Sequence, residues 1–395
     1  MPSVAVLALT DFGQCNGPAL PALDAAPAVQ RVSSGRIAIG MALRAIGVAP
    51  GDTVLVPAYH SPSMIPPVHW RGANVVFYRI HPDTTADLDD IARKLGPAVK
   101  AVMVTHFFGF PQDLSAMRRL CDTHGIGLIE DCAHCFFGSR DGVAVGTSGD
   151  YAIGSSMKFF PIFEGGCLVS HRHALTGRLT GAGMGFEAKA ALAALEASFA
   201  EGRLPALRVA LALPLRLKTA LWNRVKARAL RGDAGAVATA APALAPTSSE
   251  SSYAFDQDWL DKRSSWFSRT VLRLVSRKRI VQRRRRNYLV LAGALAGAPG
   301  WQPLFAALPA GACPWVFPLL ANQPDALFAR LEAAGVPMVR FGATLWPGVD
   351  ETVCANSIAL GRRLFGLPCH QSLTGAECDR LAGAVRRALE QGTPA

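Results

Sequence analysis

The chain has 395 residues, half of them hydrophobic and 18% charged, which is enough apolar side chain for a sizeable core and points to two domains. This composition excludes a disordered chain, and no uncharged apolar run reaches the roughly 20 residues that a membrane-spanning helix needs. The net charge of +12 is unevenly placed, with eight Lys or Arg and no acid in 202–232 and eleven with no acid in 262–287. The first reading of such runs is solvated helix faces, followed by contact with anionic lipid or a diphosphate-bearing substrate. No nucleic-acid module accompanies the charge, so no nucleic-acid partner is expected. Nine scattered cysteines fit a reducing compartment, and the opening MPSVAVLALTDFGQ lacks the basic start of a secretory signal. The expected location is cytoplasmic.

In chain order, the first thirty residues carry little pattern. Ser33-Ser34-Gly35-Arg36 then opens a stretch with helical spacing, and its free N–H groups form a candidate anion site at a helix N-terminus. Strand-like runs follow at Thr53–Val56, Asn74–Tyr78, Ala101–Thr105, Ile126–Glu130, Tyr151–Ile153 and Cys167–Ser170. Amphipathic helices are expected at Ala86–Leu95 and Asp113–His124. This alternation predicts an α/β sheet covered on both faces, with ligands beyond the carboxyl ends of the strands. Tyr59, His106 and Asp131 all lie at such ends, so they are expected around one pocket.

Residues 125–166 concentrate the chemistry. A short apolar strand runs into Glu130 and Asp131, and a later loop carries Lys158, the only Lys or Arg between Arg140 and Arg172. A carboxylate at a buried strand end needs a charged or hydrogen-bonded partner, and an apolar, Gly-rich setting lowers a lysine's pKa. Together they match what pyridoxal phosphate requires, an amine for the Schiff base and an acid opposite the pyridine nitrogen. We read Lys158 and Asp131 in these roles. His134 has a role at the ring or a plain structural role as its alternatives, and His106 reads as core or supporting. Cys132 and Cys135 lack a second C-x-x-C cluster, so no metal is expected. Gly181–Gly185 lacks the spacing of a dinucleotide fingerprint.

The ordered set Ser34-Gly35, Val56-Pro57, Thr105-His106 with Gly109, Glu130-Asp131-Cys132-Ala133-His134, Gly149-Asp150, Lys158 and Glu164-Gly165-Gly166 resembles the DegT/DnrJ/EryC1/StrS family of sugar aminotransferases. That resemblance implies fold type I of the pyridoxal-phosphate enzymes: a three-layer α/β/α large domain with a mostly parallel sheet, here 1–260, and a small C-terminal α/β domain, here 261–395. It implies pyridoxal 5'-phosphate held by Ser34, Gly35, Arg36, Asp131, His134, Ser155 and Lys158. It also implies a homodimer, glutamate as amino donor and a keto sugar, nucleotide-linked, as acceptor. His134 is similar to the family residue lying against the ring, and Ser155 to the hydroxyl that helps hold the phosphate. A lysine rather than a histidine at 158 implies amino transfer rather than dehydration.

The sequence departs from the family at several places. Arg36 stands where the family has threonine, and Ser61 where it has an aromatic. Residues 176–255 form a variable basic insert in place of the Asn-containing motif that completes a neighbour's site, with Asp261–Ser265 as a substitute lacking the Asn. Arg203–Arg231 is read either as a cover packed on the protein or as a peripheral membrane helix pair. The expected activity is a pyridoxal-phosphate-dependent aminotransferase in sugar or polysaccharide biosynthesis. The alternatives are a non-sugar ketone as acceptor, or a cofactor-binding scaffold at a membrane.

Overall fold

The computed structural model describes residues 1–17, 19–212 and 253–391. The chain alternates β1 (Ala28–Val32), α1 (Gly35–Ile46), β2 (Thr53–Pro57), α2 (Pro66–Trp70), β3 (Asn74–Tyr78), α3 (Leu88–Lys94), β4 (Val99–Thr105), α4 (Ser115–His124) and β5 (Gly127–Asp131). A small hairpin, β6 (Ser139–Arg140) and β7 (Val143–Ala144), precedes β8 (Tyr151–Gly154) and β9 (Gly166–Ser170). Seven of these strands form one sheet in the order β1-β9-β8-β5-β4-β2-β3. The pairs from β3 to β8 are parallel, and β9 and β1 join antiparallel at the edge. The sheet is therefore mostly parallel, as expected.

Each of the six predicted strands lies within two residues of its expected bounds because each is a short apolar run, buried on both faces except in the half-exposed edge strand β3. Val54, Leu55 and Val56 of β2 and Val102, Met103 and Val104 of β4 are fully buried. β1 was not foreseen. It is a half-buried edge strand, Ala-Val-Gln-Arg-Val, with neither an apolar run nor clear alternation. Ser34 starts α1 by accepting the Ile37 N–H, and Gly47 ends it with φ at +82°, a conformation glycine adopts without steric cost.

The second half continues with α5 (Met184–Ala200), α6 (Pro205–Ala210), α7 (Trp266–Leu274) and α8 (Arg277–Leu295). A three-stranded antiparallel sheet follows, β10 (Trp301–Pro303), β11 (Val316–Ala321) and β12 (Leu364–Pro368), with α9 (Pro324–Ala333), α10 (Glu351–Arg363) and α11 (Gly375–Glu390). Apolar side chains of this unit, such as Phe317, Leu319 and Phe365, share one core with Tyr59, Phe107 and Phe108 of the large sheet. At that junction a Cβ on Gly342, whose φ is +77°, would lie 2.1 Å from the Tyr59 ring, so only glycine lets the 338–344 loop seat there.

The basic run 262–287 is not simply a solvated face. Arg277 makes two bonds to the buried Asp24, at 2.5 and 2.9 Å, and Arg285 donates to the carbonyls of Pro309 and Ala312. Arg283 donates to Leu373 O, and Arg284 is fully buried. Arg203, at the start of the other basic run, pairs with Glu377 at 2.8 Å. Most of 203–231, and with it the choice between cover and membrane helix pair, lies outside the described residues. Among the described residues no helix is long and apolar enough to cross a membrane.

Eight of the nine cysteines are buried and Cys15 is half-exposed, all as free thiols. Burial pushes the Cys121 thiol up to about 11 and those of Cys167, Cys313 and Cys369 up to about 12. A disulfide exchange reagent at pH 8 should therefore titrate one thiol quickly, and Cys15→Ser should abolish that phase. Rapid reaction of two or more thiols in the native protein would contradict this packing.

Candidate active site

The period of two along β5 sends its last two acids to opposite faces. Glu130 accepts from His106 Nε2 at 3.1 Å and from the N–H groups of Gly146 and Gly149. Burial would raise its pKa, but those partners outweigh it and the carboxyl lies below its ordinary value. Asp131 accepts from Ala133 N at 2.9 Å and Thr105 Oγ1 at 3.2 Å. Burial dominates there and holds its carboxyl above the ordinary value, opposed by the Ala133 N–H and the charge of Lys158. Asp131 is thus a buried acid in need of a cation.

Lys158 ends a single 3-10 turn, Ser156–Lys158, that follows β8. Burial draws its amine down to about 8, with Asp131 pulling the other way. Its Nζ lies 4.6 Å from the centroid of the Trp315 ring, and its carbonyl accepts from Arg284 Nη2 at 2.8 Å. Lys158 borders two cavities. One is a narrow groove shared with Asp131 at the end of β5, Ala133 and His134 after it, Gly35 and Arg36 of α1, Ser155, and Ser61 and Ser63 after β2. The other is a cavity of about 430 Å³ lined by His60, Arg284, Trp315, Arg340 and His370 among others, with no carboxylate among the described lining residues.

The groove brings together Gly35, Arg36, Asp131, His134, Ser155 and Lys158 of the predicted set. Ser34 sits just behind it as the N-cap of α1. Gly166 holds this entry in place, since a Cβ there would stand 2.3 Å from the Ser34 carbonyl carbon. Gly165 N donates to Ser33 O at 2.7 Å. Glu164 accepts from both the N–H and the hydroxyl of Ser265, the N-cap of α7, which ties the segment after the insert to the glycine pair. Arg36 donates to the carbonyl of Ala254 at the end of the insert.

His134 is buried, and burial together with the Lys158 charge puts its pKa well below the ordinary value, so it is neutral. Its Nδ1 has no hydrogen-bond partner among the described residues. The ring stacks on Trp315 at 3.9 Å between centroids. His60 places Nδ1 near the Pro57 and Ala58 carbonyls, while Nε2 accepts from Trp346 N. Burial draws its pKa down to about 4, against the Ala58 and Pro57 carbonyls, which pull the other way, so it is neutral near neutral pH.

Two expectations are corrected. Tyr59 does not line the groove, because its ring is fully buried and its hydroxyl donates to Phe341 O at 2.8 Å, supporting the loop above. His106 turns away to Glu130 and accepts from Gln112 N, so it serves the loop behind the sheet. Sequence reading missed Arg284, Trp315 and Arg340, which reach the site from more than a hundred residues downstream. Arg284 was hidden in a run of four arginines, and nothing local to Trp315 sets it apart from the apolar run it precedes.

Residues 23–184 match the sequence profile of the DegT/DnrJ/EryC1/StrS aminotransferase family. The chain is 36% identical over 143 residues to the GDP-perosamine synthase of Vibrio cholerae, covering 35% of this chain and 39% of that one. It is 35% identical over 138 residues to the dTDP-4-dehydro-2,3,6-trideoxy-D-glucose 4-aminotransferase of Saccharopolyspora spinosa, covering 34% and 36%. These matches therefore span less than half of either relative. The fold extends further: the crystal structure of the aminotransferase TlmJ from Streptoalloteichus hindustanus superposes with a TM-score of 0.61 at 24% identity, covering 92% of this chain and 86% of that one. The segment that carries Asp131, His134, Ser155 and Lys158 is thus similar in sequence to the DegT/DnrJ/EryC1/StrS aminotransferase family over residues 23–184.

Proposed function

We propose that the chain is a pyridoxal-phosphate-dependent aminotransferase that moves an amino group from glutamate to a keto sugar, nucleotide-linked, in glycan biosynthesis. The observation that carries this reading is the buried Asp131 facing the desolvated amine of Lys158 across one groove. The groove suits the cofactor on three counts. Asp131 needs a cation, His134 Nδ1 needs a partner, and Gly35, Arg36 and Ser155 place a guanidinium, a hydroxyl and a helix N-terminus together.

Bound there, pyridoxal phosphate supplies an electron sink for negative charge on the amino-bearing carbon of the donor. Asp131, anchored by Thr105 and Ala133, would hold the proton on the ring nitrogen. Lys158 would hold the cofactor and, as the free amine, take the proton from the donor carbon. Its amine lies at about 8, within reach of both protonation states near neutral pH. Arg36 and Ser155 would hold the phosphate, with Ser34 and Gly35 shaping the helix entry. The larger cavity offers Arg284, Arg340 and neutral His60 toward the substrate and has no acid among its described lining residues, which favours anionic substrates. Residues 1–260 and 261–395 act in this reading as the large and small domains. A second copy of the chain completes the site, in a cytoplasmic enzyme whose insert either covers the site or rests on the membrane surface.

Incubation with glutamate and a panel of nucleotide-linked keto sugars, with mass detection of the amino product, tests the activity. Turnover with none of them, but with a non-sugar ketone, would favour the alternative acceptor. Lys158→Ala should remove the visible absorbance acquired with pyridoxal phosphate, and borohydride should fix the cofactor on Lys158 alone. An adduct on any other lysine would overturn the assignment. Asp131→Asn should still bind the cofactor while kcat falls at least about a hundredfold, the loss expected when one pre-placed electrostatic partner is removed. Near-native turnover would take Asp131 out of this role. Light scattering at micromolar concentration should give twice the mass of 41.8 kDa, and an active monomer would exclude the shared site.

A further inference from the structure

Lys158 has no carboxylate within ion-pair distance among the described residues; Asp131 acts on it from further off, and the face of Trp315 lies 4.6 Å from its Nζ. The indole is fixed from several sides. Its N–H on the main chain donates to Phe108 O at 2.9 Å, its carbonyl accepts from Arg284 Nη1 at 2.9 Å, and its ring stacks on His134. Arg284 also donates through Nη2 to the carbonyl of Lys158 itself at 2.8 Å. One guanidinium therefore holds the backbone of the lysine and the backbone of the tryptophan at the same time. Arg284 is fully buried and its bonded acceptors are all neutral, so its position is set by these carbonyls and by Gln371.

We propose that Trp315 is a positioning residue for Lys158: its indole face holds the ammonium end at the border of the two cavities, and Arg284 sets the spacing of the two backbones. An aromatic face attracts a cation most strongly where water is excluded, and it offers no proton acceptor that would trap the amine. The lysine can then turn toward Asp131 or toward the larger cavity without leaving an apolar setting. Because the cation is stabilised against the neutral amine, the contact opposes the effect of burial on Lys158. The other charged or titratable groups facing this position are Asp131 at the end of β5 and His134 beyond it, Arg36 of α1, Arg284 of α8, and His60, Tyr253, Arg340 and His370 across the larger cavity. Trp315 differs from all of these in acting through its ring face alone. This deepens the proposed role of Lys158, yet it concerns the amine with no cofactor bound.

The test is competitive acylation of the cofactor-free protein across pH, with the extent of labelling at Lys158 read by peptide mass spectrometry. In Trp315→Leu the midpoint for Lys158 should fall by about half to one and a half pH units, and in Trp315→Phe by less. The midpoint of the surface residue Lys100 should stay put in both. A midpoint unchanged in Trp315→Leu would overturn the proposal, and so would a rise, which would mean that the indole only keeps water out. If the leucine variant fails to fold, uniform incorporation of fluorinated tryptophan keeps the ring's shape and weakens its face. The Lys158 midpoint should then fall as fluorine is added, and no change would overturn the contact. Borohydride trapping of pyridoxal phosphate on Lys158 is run separately. Failure of trapping with the expected midpoint shift would sink the proposed function and leave the contact standing.

Discussion

Arg284 is a cation buried without a carboxylate, and much of the molecule is arranged around satisfying it. Its five hydrogen bonds go to Lys158 O, Phe159 O, Pro314 O, Trp315 O and Gln371 Oε1, three separate segments of chain. Burial lowers its pKa, yet guanidinium keeps its proton, so the charge has to be held by dipoles. The Phe159 ring, 4.6 Å from the guanidinium carbon, adds a further face. Leaving such a group unpaired costs about 3–5 kcal/mol, which makes the joint between the Lys158 turn and the second sheet hard to slip. Lys158 is thus fixed through its backbone as well as by the ring face at its Nζ.

A second constraint is the parity of β5. Adjacent acids on a strand face opposite ways, and here the two faces differ in what they offer. Glu130 meets two glycine N–H groups and a histidine, and becomes a structural anion that organises the loop at 146–149. Asp131 meets one backbone N–H, one hydroxyl and the charge of Lys158, and remains an acid that a bound cation would stabilise. Identical chemistry in the sequence yields opposite roles because burial without partners and burial with partners move a carboxyl in opposite directions.

The departures from the family pattern also find places. Arg36, standing for a threonine, is buried at the entry of α1 and bonds the Ala254 carbonyl, so the end of the insert is tied to the groove. Ser61, standing for an aromatic, lines the groove and hydrogen-bonds Ser63 at 2.8 Å. The aromatic surface near the lysine comes instead from Trp315 and Phe341 of the second unit, packed with His134. Ser265 takes the N-cap of α7 and binds Glu164, which links the substitute motif to the glycine pair.

The strands of the large sheet were legible because each is a local apolar run, and the sites at their ends followed from the geometry of parallel sheets. Asp131, His134, Ser155 and Lys158 were legible as a motif for the same reason, since all four lie within twenty-eight residues of one another. The edge strand β1 was not, because an exposed edge imposes no pattern on its residues. Tyr59 and His106 stood at strand ends just as Asp131 does, and the sequence could not say that a carbonyl on a distant loop takes the tyrosine while Glu130 takes the histidine. The run Arg283–Arg286 shows four equal charges in sequence. Only the packing of α8 decides that Arg284 faces inward to the Lys158 and Trp315 carbonyls while Arg283 reaches Leu373 O and Arg285 reaches Pro309 O and Ala312 O, because the side chain's fate depends on which face of the helix is covered. The chain alone therefore determined the sheet, the acid and the lysine, which rest on local pattern. Tertiary structure decided which ring lies over that lysine and which cation holds it there, because those contacts join residues more than a hundred positions apart.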